Sequence, residues 1–429
     1  MDVELLSRFN NWWITGKVKR ELLFSYKRYL FQKLLQNLEG RQMVLLTGLR
    51  RIGKTVLLYQ LINELLQKGV KPRNIFYFSF DEERYGLEEV INTYRNEVLK
   101  HNLEKERVFL FLDEVQKSEN WANQVKIWYD LYPNLKFFLS GSASLILQRK
   151  TKESLAGRIF EFVLSPLTFR EFLELKNIDV KFQDIKIYQE RILPFFFDYL
   201  RKSGFPEIID EESDEKIRLY LKNSIVDRII YKDIPLEFGI KDLELLETLV
   251  KIIFTQPGLI VNFDAFARNL KRDKKTIINY IFYLKYSLLV KIVYNFRKET
   301  LVASRKLKKA YPATTSLIFS LSPRFYEQDF SGKVLETFVI DDLDAKYYYR
   351  KNDEVDIIYP VKNLPIPVEI KSEPNDEDLR KFRKTIDRFD GEKGIIITKQ
   401  QFKEMKLQGK KILIIPAWAF AIFKEKFLA

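Results

Sequence analysis

Apolar residues fall into two alternating patterns between residues 43 and 163. Short β-rich runs (MVLLT, IFYFSF, VFLFL, KFFLS, IFEFV) alternate with longer stretches of helical spacing such as VLLYQLINELLQK. Fully apolar strands alternating with helices predict an α/β fold built on a doubly wound parallel sheet. From Leu173 to Asp264 the spacing is helical, as in IRLYLKNSIVDRIIYKDI and LELLETLVKIIF, which predicts a helical lid or bundle. The next segment reads helix (FDAFARNL), polar turn (KRD), helix (KKTIINYIFYLKYSLL) and strand (VKIVYNFR), the order of a helix, turn, helix and wing. From Gly332 a mixed α/β pattern returns. It holds a helix around KVLETFVIDDL, a strand pair EVDIIY and IPVEIK, a helix DEDLRKFRKTIDRF, and strands GIIIT and KILIIP. The expected domains are 1–172, 173–263, 264–331 and 332–429.

The chain of 429 residues is 46% hydrophobic, which gives it material for buried cores. It has no Cys and one His, His101, so disulfides, thiol catalysis, zinc fingers and His-based triads are excluded. Its chemistry must come from carboxylates, Lys, Arg, hydroxyls and hard metals. The start, MDVELLSRFN, is acidic, and the longest apolar run falls short of the ~20 residues a membrane span needs. This predicts a cytoplasmic protein that keeps off the membrane. With 73 Lys and Arg against 59 Asp and Glu, the net charge is +14, which favours an anionic partner. Residues 264–310 carry thirteen Lys or Arg against three acids, so ten of those fourteen charges lie in one stretch.

The first strand runs into GLRRIGKT and then a helix, the G-x-x-x-x-G-K-[ST] spacing in a strand-to-helix context. Residues Gly48, Leu49, Arg50, Arg51, Ile52, Gly53, Lys54, Thr55 and Val56 would form a nest of N–H groups around the phosphates of ATP. Lys54 would neutralise the β- and γ-phosphates, and the Thr55 hydroxyl would bind Mg²⁺. The strand VFLFL ends in Asp113 and Glu114, placed to hold the metal's hydration shell and to polarise the attacking water. After KFFLS, Ser140 and Ser142 could touch the γ-phosphate or the water, or satisfy the turn's own backbone.

The strings GLRRIGKT, FLDEVQKSENW, FLSGSAS, LAGRIFEFVLSPLTFREFL and YLRKSGFPEII resemble the archaeal and bacterial AAA+-like ATPases, in which a P-loop module precedes a large C-terminal domain of unknown function. Leu49 stands where Pro is usual, and Ser203 where Gly is commoner. The resemblance implies that the two phosphate-site strands are separated by one strand. It also implies that Arg158 reads the γ-phosphate, in cis or from a neighbouring subunit of a homo-oligomer; a plain ion-paired arginine is the other reading.

In a helix-turn-helix unit the second helix offers its N-terminal residues to the major groove of DNA, here Lys274, Lys275, Thr276 and Asn279. Arg268, Lys271, Arg272, Arg297, Lys298 and the RKLKK run would contact phosphates. The alternative is a basic face used for protein packing. Further on, a hairpin symmetric about Lys362 and Asn363 would set Asp356 opposite Glu369, with Lys371 on the face of Glu369. With Glu336 upstream, this resembles the PD-(D/E)XK nuclease core and implies metal binding by Asp356, Glu369 and Glu336, with Lys371 catalytic; a remnant fold without cleavage is the other reading. The sequence therefore predicts a Mg²⁺-dependent ATPase acting on DNA. A nucleotide-dependent switch that binds a protein partner is the alternative.

Overall fold

The computed structural model describes residues 1–81, 85–100, 103, 106–142, 145, 153–297, 307–351, 353–361 and 364–429. The chain divides into two compact units, Met1–Ser165 and Pro166–Ala429.

The first unit is built on five parallel strands: β1 (Met43–Gly48), β2 (Ile75–Ser79), β3 (Val108–Asp113), β4 (Leu135–Gly141) and β5 (Ile159–Leu164), in the order β2-β3-β4-β1-β5. The strand β4 lies between β1 and β3, as the resemblance implies. Every residue of β1, β3 and β4 is buried, because helices cover both faces of a parallel sheet. Side chains such as Phe76, Phe78, Leu110, Leu112 and Phe137 fill one of these layers. The N-terminal segment closes the outer edge of β2. The Asn10 side chain makes a reciprocal pair with the Tyr77 backbone, donating to its carbonyl at 2.8 Å and accepting from its N–H at 2.7 Å. The indoles of Trp12 and Trp13 both donate to the Ile75 carbonyl. An edge strand left with free backbone groups is a template for unwanted pairing, and these contacts remove it.

The second unit opens with helices, including Gln189–Lys202 and Leu243–Thr255. Then come β6 (Leu259–Val261), the helices Phe263–Leu270 and Lys274–Tyr286, β7 (Val290–Asn295) and β8 (Lys308–Pro312). Two short strands, β9 (Tyr347–Arg350) and β10 (Glu354–Val355), extend this sheet to the order β10-β9-β7-β8-β6. Pairing of Tyr294 with Tyr347 therefore joins the 264–331 and 332–429 segments in one sheet. A third sheet, β11-β12-β13-β15-β14, holds β11 (Ile357–Val361), β12 (Leu364–Ile370), β13 (Lys393–Thr398), β14 (Lys403–Leu407) and β15 (Lys410–Pro416). The apolar C-terminal run divides at Pro416, into β15 and the buried start of the helix Ala417–Leu428. Among the described residues no helix is long and apolar enough to cross a membrane.

Candidate nucleotide site and basic helix

β1 delivers the chain into the P-loop at Gly48, whose φ is 155° and where a Cβ would lie 2.6 Å from the Leu164 carbonyl of β5. Only glycine fits that approach. Gly53, at φ 100°, turns the loop into the helix Lys54–Gln67 and aims its first N–H groups back into the loop. Leu49 and Ile52 are buried and pin the loop from below, whereas Arg51 and Thr55 are exposed. Arg28 adds a brace: its guanidinium donates to the Ile52 carbonyl at 3.2 Å and to the Ser165 carbonyl at 2.9 Å.

Lys54 is buried, and its ammonium donates to the loop's own Gly48 and Leu49 carbonyls at 3.2 and 3.0 Å. Across the sheet, Thr55 donates to Asp113 Oδ2 at 2.7 Å. Asp113 is held from three further sides, by Tyr77 (OH to Oδ2, 3.1 Å), by the Glu114 N–H (3.1 Å) and by the Ser140 hydroxyl. Ser140 thus donates to Asp113 and positions it. Glu114 adopts left-handed backbone (φ 54°), which turns its side chain out of the β3 alternation. Burial pushes its carboxyl up and Asp113 adds to that, while Lys54 and a 2.6 Å hydrogen bond from Gln116 act the other way. A hydroxyl and a carboxylate in contact beside a buried lysine are a hard-oxygen donor set, and Thr55 and Asp113 fit Mg²⁺. Gln116, Tyr77 and Arg28 belong to this site, and none of them stands in the motif spacing that reveals the rest.

Arg158 lies elsewhere. Its carbonyl accepts from the Met43 N–H, at the start of β1, while Gly48 ends that strand. Five residues of strand put roughly 17 Å between them, and the guanidinium is paired with Asp130 at 2.9 and 3.2 Å. A γ-phosphate contact in cis is therefore corrected to a surface ion pair.

The helices Phe263–Leu270 and Lys274–Tyr286 expose Arg268, Lys271, Arg272, Lys274, Lys275 and Asn279, with Thr276 half-buried. Two of these cations are paired, Arg272 with Asp242 at 2.8 Å and Lys274 with Asp264 at 2.9 Å. Arg297 donates to the Arg350 carbonyl at 2.8 Å. Lys298, Arg305 and Lys306 lie outside the described residues.

Lys309 departs from the expected phosphate surface. It is buried, with its ammonium 3.3 Å from Glu336 and 2.5 Å from Glu354. The β11–β12 register pairs Val361 with Leu364 and Ile357 with Val368, so Asp356 falls opposite Glu369, and the Ile370 N–H donates to Asp356 at 2.8 Å. Lys362 and Asn363 themselves lie outside the described residues. Burial raises the Asp356 carboxyl, and Glu336 adds to the effect. Burial and then Asp356 push Glu369 up to about 7, with Lys371, 3.9 Å away, opposing. Glu336 is engaged by Lys309, by Lys333 at 2.9 Å and by the Tyr311 hydroxyl at 2.6 Å. Among the described residues no group of three or more acidic or histidine side chains could hold a metal ion. Of the expected metal set, Glu336 acts on Asp356 and Asp356 on Glu369, while the Lys309 ammonium offsets the charge of Glu336 and the Ile370 N–H occupies Asp356.

Comparison with known families bears on the first unit. Residues 40–173 match the family model described as an AAA domain. The P-loop, Tyr77, Asp113, Glu114 and Gln116 lie within the matched residues, on an α/β core of parallel strands, and Arg28 precedes them. Residues 194–327 and 331–420 match two domains of unknown function, DUF8612 and DUF4143. An uncharacterized protein of Methanocaldococcus jannaschii is 28% identical over 404 residues, covering 87% of each chain. An uncharacterized protein of Haemophilus influenzae is 24% identical, covering 92% of this chain and 98% of that one. Among solved structures, Cdc6p from Pyrobaculum aerophilum aligns at 15% identity and a TM-score of 0.28, over 75% of this chain and 98% of that chain.

Proposed function

We propose that the protein is a Mg²⁺-dependent ATPase of the AAA type whose nucleotide cycle controls binding to DNA. The observation that carries the enzymatic part is the 2.7 Å contact of Thr55 with Asp113, with Lys54 buried beside it and Glu114 next in sequence. Lys54 exchanges its two loop carbonyls for phosphate oxygens when ATP enters. Thr55 and Asp113 are the residues that would hold Mg²⁺, which when bound neutralises charge on the β- and γ-phosphate oxygens. Glu114, held by Gln116, orients and polarises the attacking water. Ser140 and Tyr77 fix the Asp113 rotamer, so the carboxylate keeps its aim through the cycle.

The DNA part rests on the order helix Leu243–Thr255, β6, two helices, β7 and β8, with antiparallel β6–β8–β7 pairing, which is the order of a winged helix. Exposed Arg268, Lys271 and Lys275 supply the phosphate contacts. In the C-terminal segment, the helix Ser331–Asp342, then β11, β12, the helix Asp376–Arg388 and β13 follow the nuclease-like order. The neutralisation of Glu336 by Lys309 favours a role in binding, so we derive no cleavage step there. Fluorescence anisotropy with labelled duplex DNA across a salt series tests the DNA reading. Affinity should fall steeply with salt, and Arg268→Ala with Lys275→Ala should lower the log–log slope by about two. Absence of duplex binding at low salt would leave only the nucleotide-dependent switch with a protein partner.

A further inference from the structure

The helix Lys274–Tyr286 buries Ile277, Tyr280, Ile281 and Leu284. Its opposite face carries Lys275, Ile278, Asn279 and Phe282, spaced i, i+3, i+4 and i+7, so the four form a single stripe. All four are exposed, Ile278 at 39% and Phe282 at 44%. Two large apolar side chains flank an amide on this solvent-facing stripe, with Lys275 at its start and exposed Arg268 and Lys271 on the preceding helix and turn. That composition fits neither a core nor a plain solvated face.

We propose that this stripe reads duplex DNA directly in the major groove and selects A·T base pairs. The inference rests on the DNA-binding reading above and adds the base preference. A major groove about 12 Å wide admits one helix, and Ile278, Asn279 and Phe282 on its outward face would meet the groove floor. Adenine offers N7 as acceptor and its N6 amino group as donor, which a carboxamide matches with two hydrogen bonds. The Asn279 side chain supplies that carboxamide. Thymine adds a C5-methyl group, the apolar feature of the groove, and Ile278 and Phe282 supply the matching surface. Lys275, one turn nearer the helix start, reaches a phosphate. Lys274 and Arg272, tied to Asp264 and Asp242, set the helix and its preceding turn in place instead of reading bases.

The test uses the full chain and a pool of random-sequence duplexes, from which bound molecules are selected and sequenced. Affinity is then measured for an A·T-containing winner, for the same duplex with uracil in place of thymine, and for a G·C counterpart. A bidentate contact discriminates by roughly 5- to 150-fold, so the A·T duplex should bind about 10-fold or more tightly than the G·C one. Uracil substitution should weaken binding several-fold. Asn279→Ala should abolish the preference for adenine while leaving the salt slope unchanged, and Phe282→Ala should abolish the thymine–uracil difference. Both residues are exposed, and an unchanged thermal midpoint checks that each variant is folded. Equal, salt-dependent affinity for all three duplexes would overturn this inference while leaving DNA binding intact. An A·T preference that survives both uracil and Asn279→Ala would assign the preference to DNA shape and overturn direct reading. No binding to any duplex at low salt would overturn the DNA reading and this inference with it.

Discussion

The Thr55 hydroxyl donates a 2.7 Å hydrogen bond to Asp113 although 58 positions separate them in sequence. β4 lies between their parent strands, and the helix that begins at Lys54 carries Thr55 across to the end of β3. This contact joins the two halves of the proposed phosphate site. The remaining protein groups around it, Tyr77, Ser140 and the Glu114 N–H, serve to hold Asp113.

Lys54→Ala removes the buried ammonium that donates to the loop carbonyls, and Thr55→Ala removes the hydroxyl bound to Asp113. Titration with a fluorescent ATP analogue should show Lys54→Ala losing at least ~10-fold in affinity, in line with the ~1.5–3 kcal/mol of a charge-assisted contact. Thr55→Ala should weaken binding mainly when Mg²⁺ is present. Equal Mg²⁺ dependence in wild type and Thr55→Ala would remove Thr55 from the metal site.

Arg28 bridges the P-loop and the chain after β5 through the Ile52 and Ser165 carbonyls. Its removal leaves both acceptors without their charged donor, which costs roughly 2–4 kcal/mol. Differential scanning calorimetry of Arg28→Ala should show the transition of the first unit lowered by about 5–10 °C. ATP affinity should fall as well. Arg28→Lys should rescue little, because a single ammonium does not reproduce the forked geometry.

The geometry of the candidate nucleotide site was legible in sequence because its parts are local. GLRRIGKT fixes loop and helix within a few residues, and a fully apolar run ending in Asp113-Glu114 identifies the second strand. What was not legible is held by tertiary contacts with no fixed spacing: Arg28 comes from before β1, Tyr77 from β2, and Gln116 from the turn after Glu114. For Arg158 the ion-paired reading fits, for a related reason. The AGR tripeptide gives residue type but not which end of the sheet it occupies, and the pairing of β5 with β1 places it beside Met43. In the second unit the hairpin register about 362 and 363 follows from the alternation of β11 and β12. Charge density alone assigned Lys309 to the surface, yet the pairing of β8 between β6 and β7 turns its side chain toward Glu336 and Glu354. A count of charges carries no information about which face of a strand each occupies.

The Glu369 carboxyl gives a pH test of the C-terminal sheet. Burial, and then Asp356, push it up to about 7 from the ordinary 4.5. Below pH 4.5 it is protonated in both folded and unfolded chains. Between 4.5 and 7 the unfolded chain releases the proton first, so this group's contribution to stability is lost as pH rises through 7. Glu369→Gln should therefore stabilise the second unit by about 1–3 kcal/mol at pH 8 and change little at pH 4. Urea denaturation at the two pH values measures the difference. A variant equally stable with wild type at pH 8 would mean that Lys371 fully compensates the buried charge.

The central claim is that Glu114 orients the water that attacks ATP bound at the P-loop. It is tested most directly by measuring, in one preparation, ATP binding and steady-state phosphate release for wild type and Glu114→Gln. The account predicts that Glu114→Gln binds ATP within about threefold of wild type while phosphate release falls by at least ~100-fold, the scale of a general-base contribution. Phosphate release by Glu114→Gln at the wild-type rate, with binding intact, would contradict it.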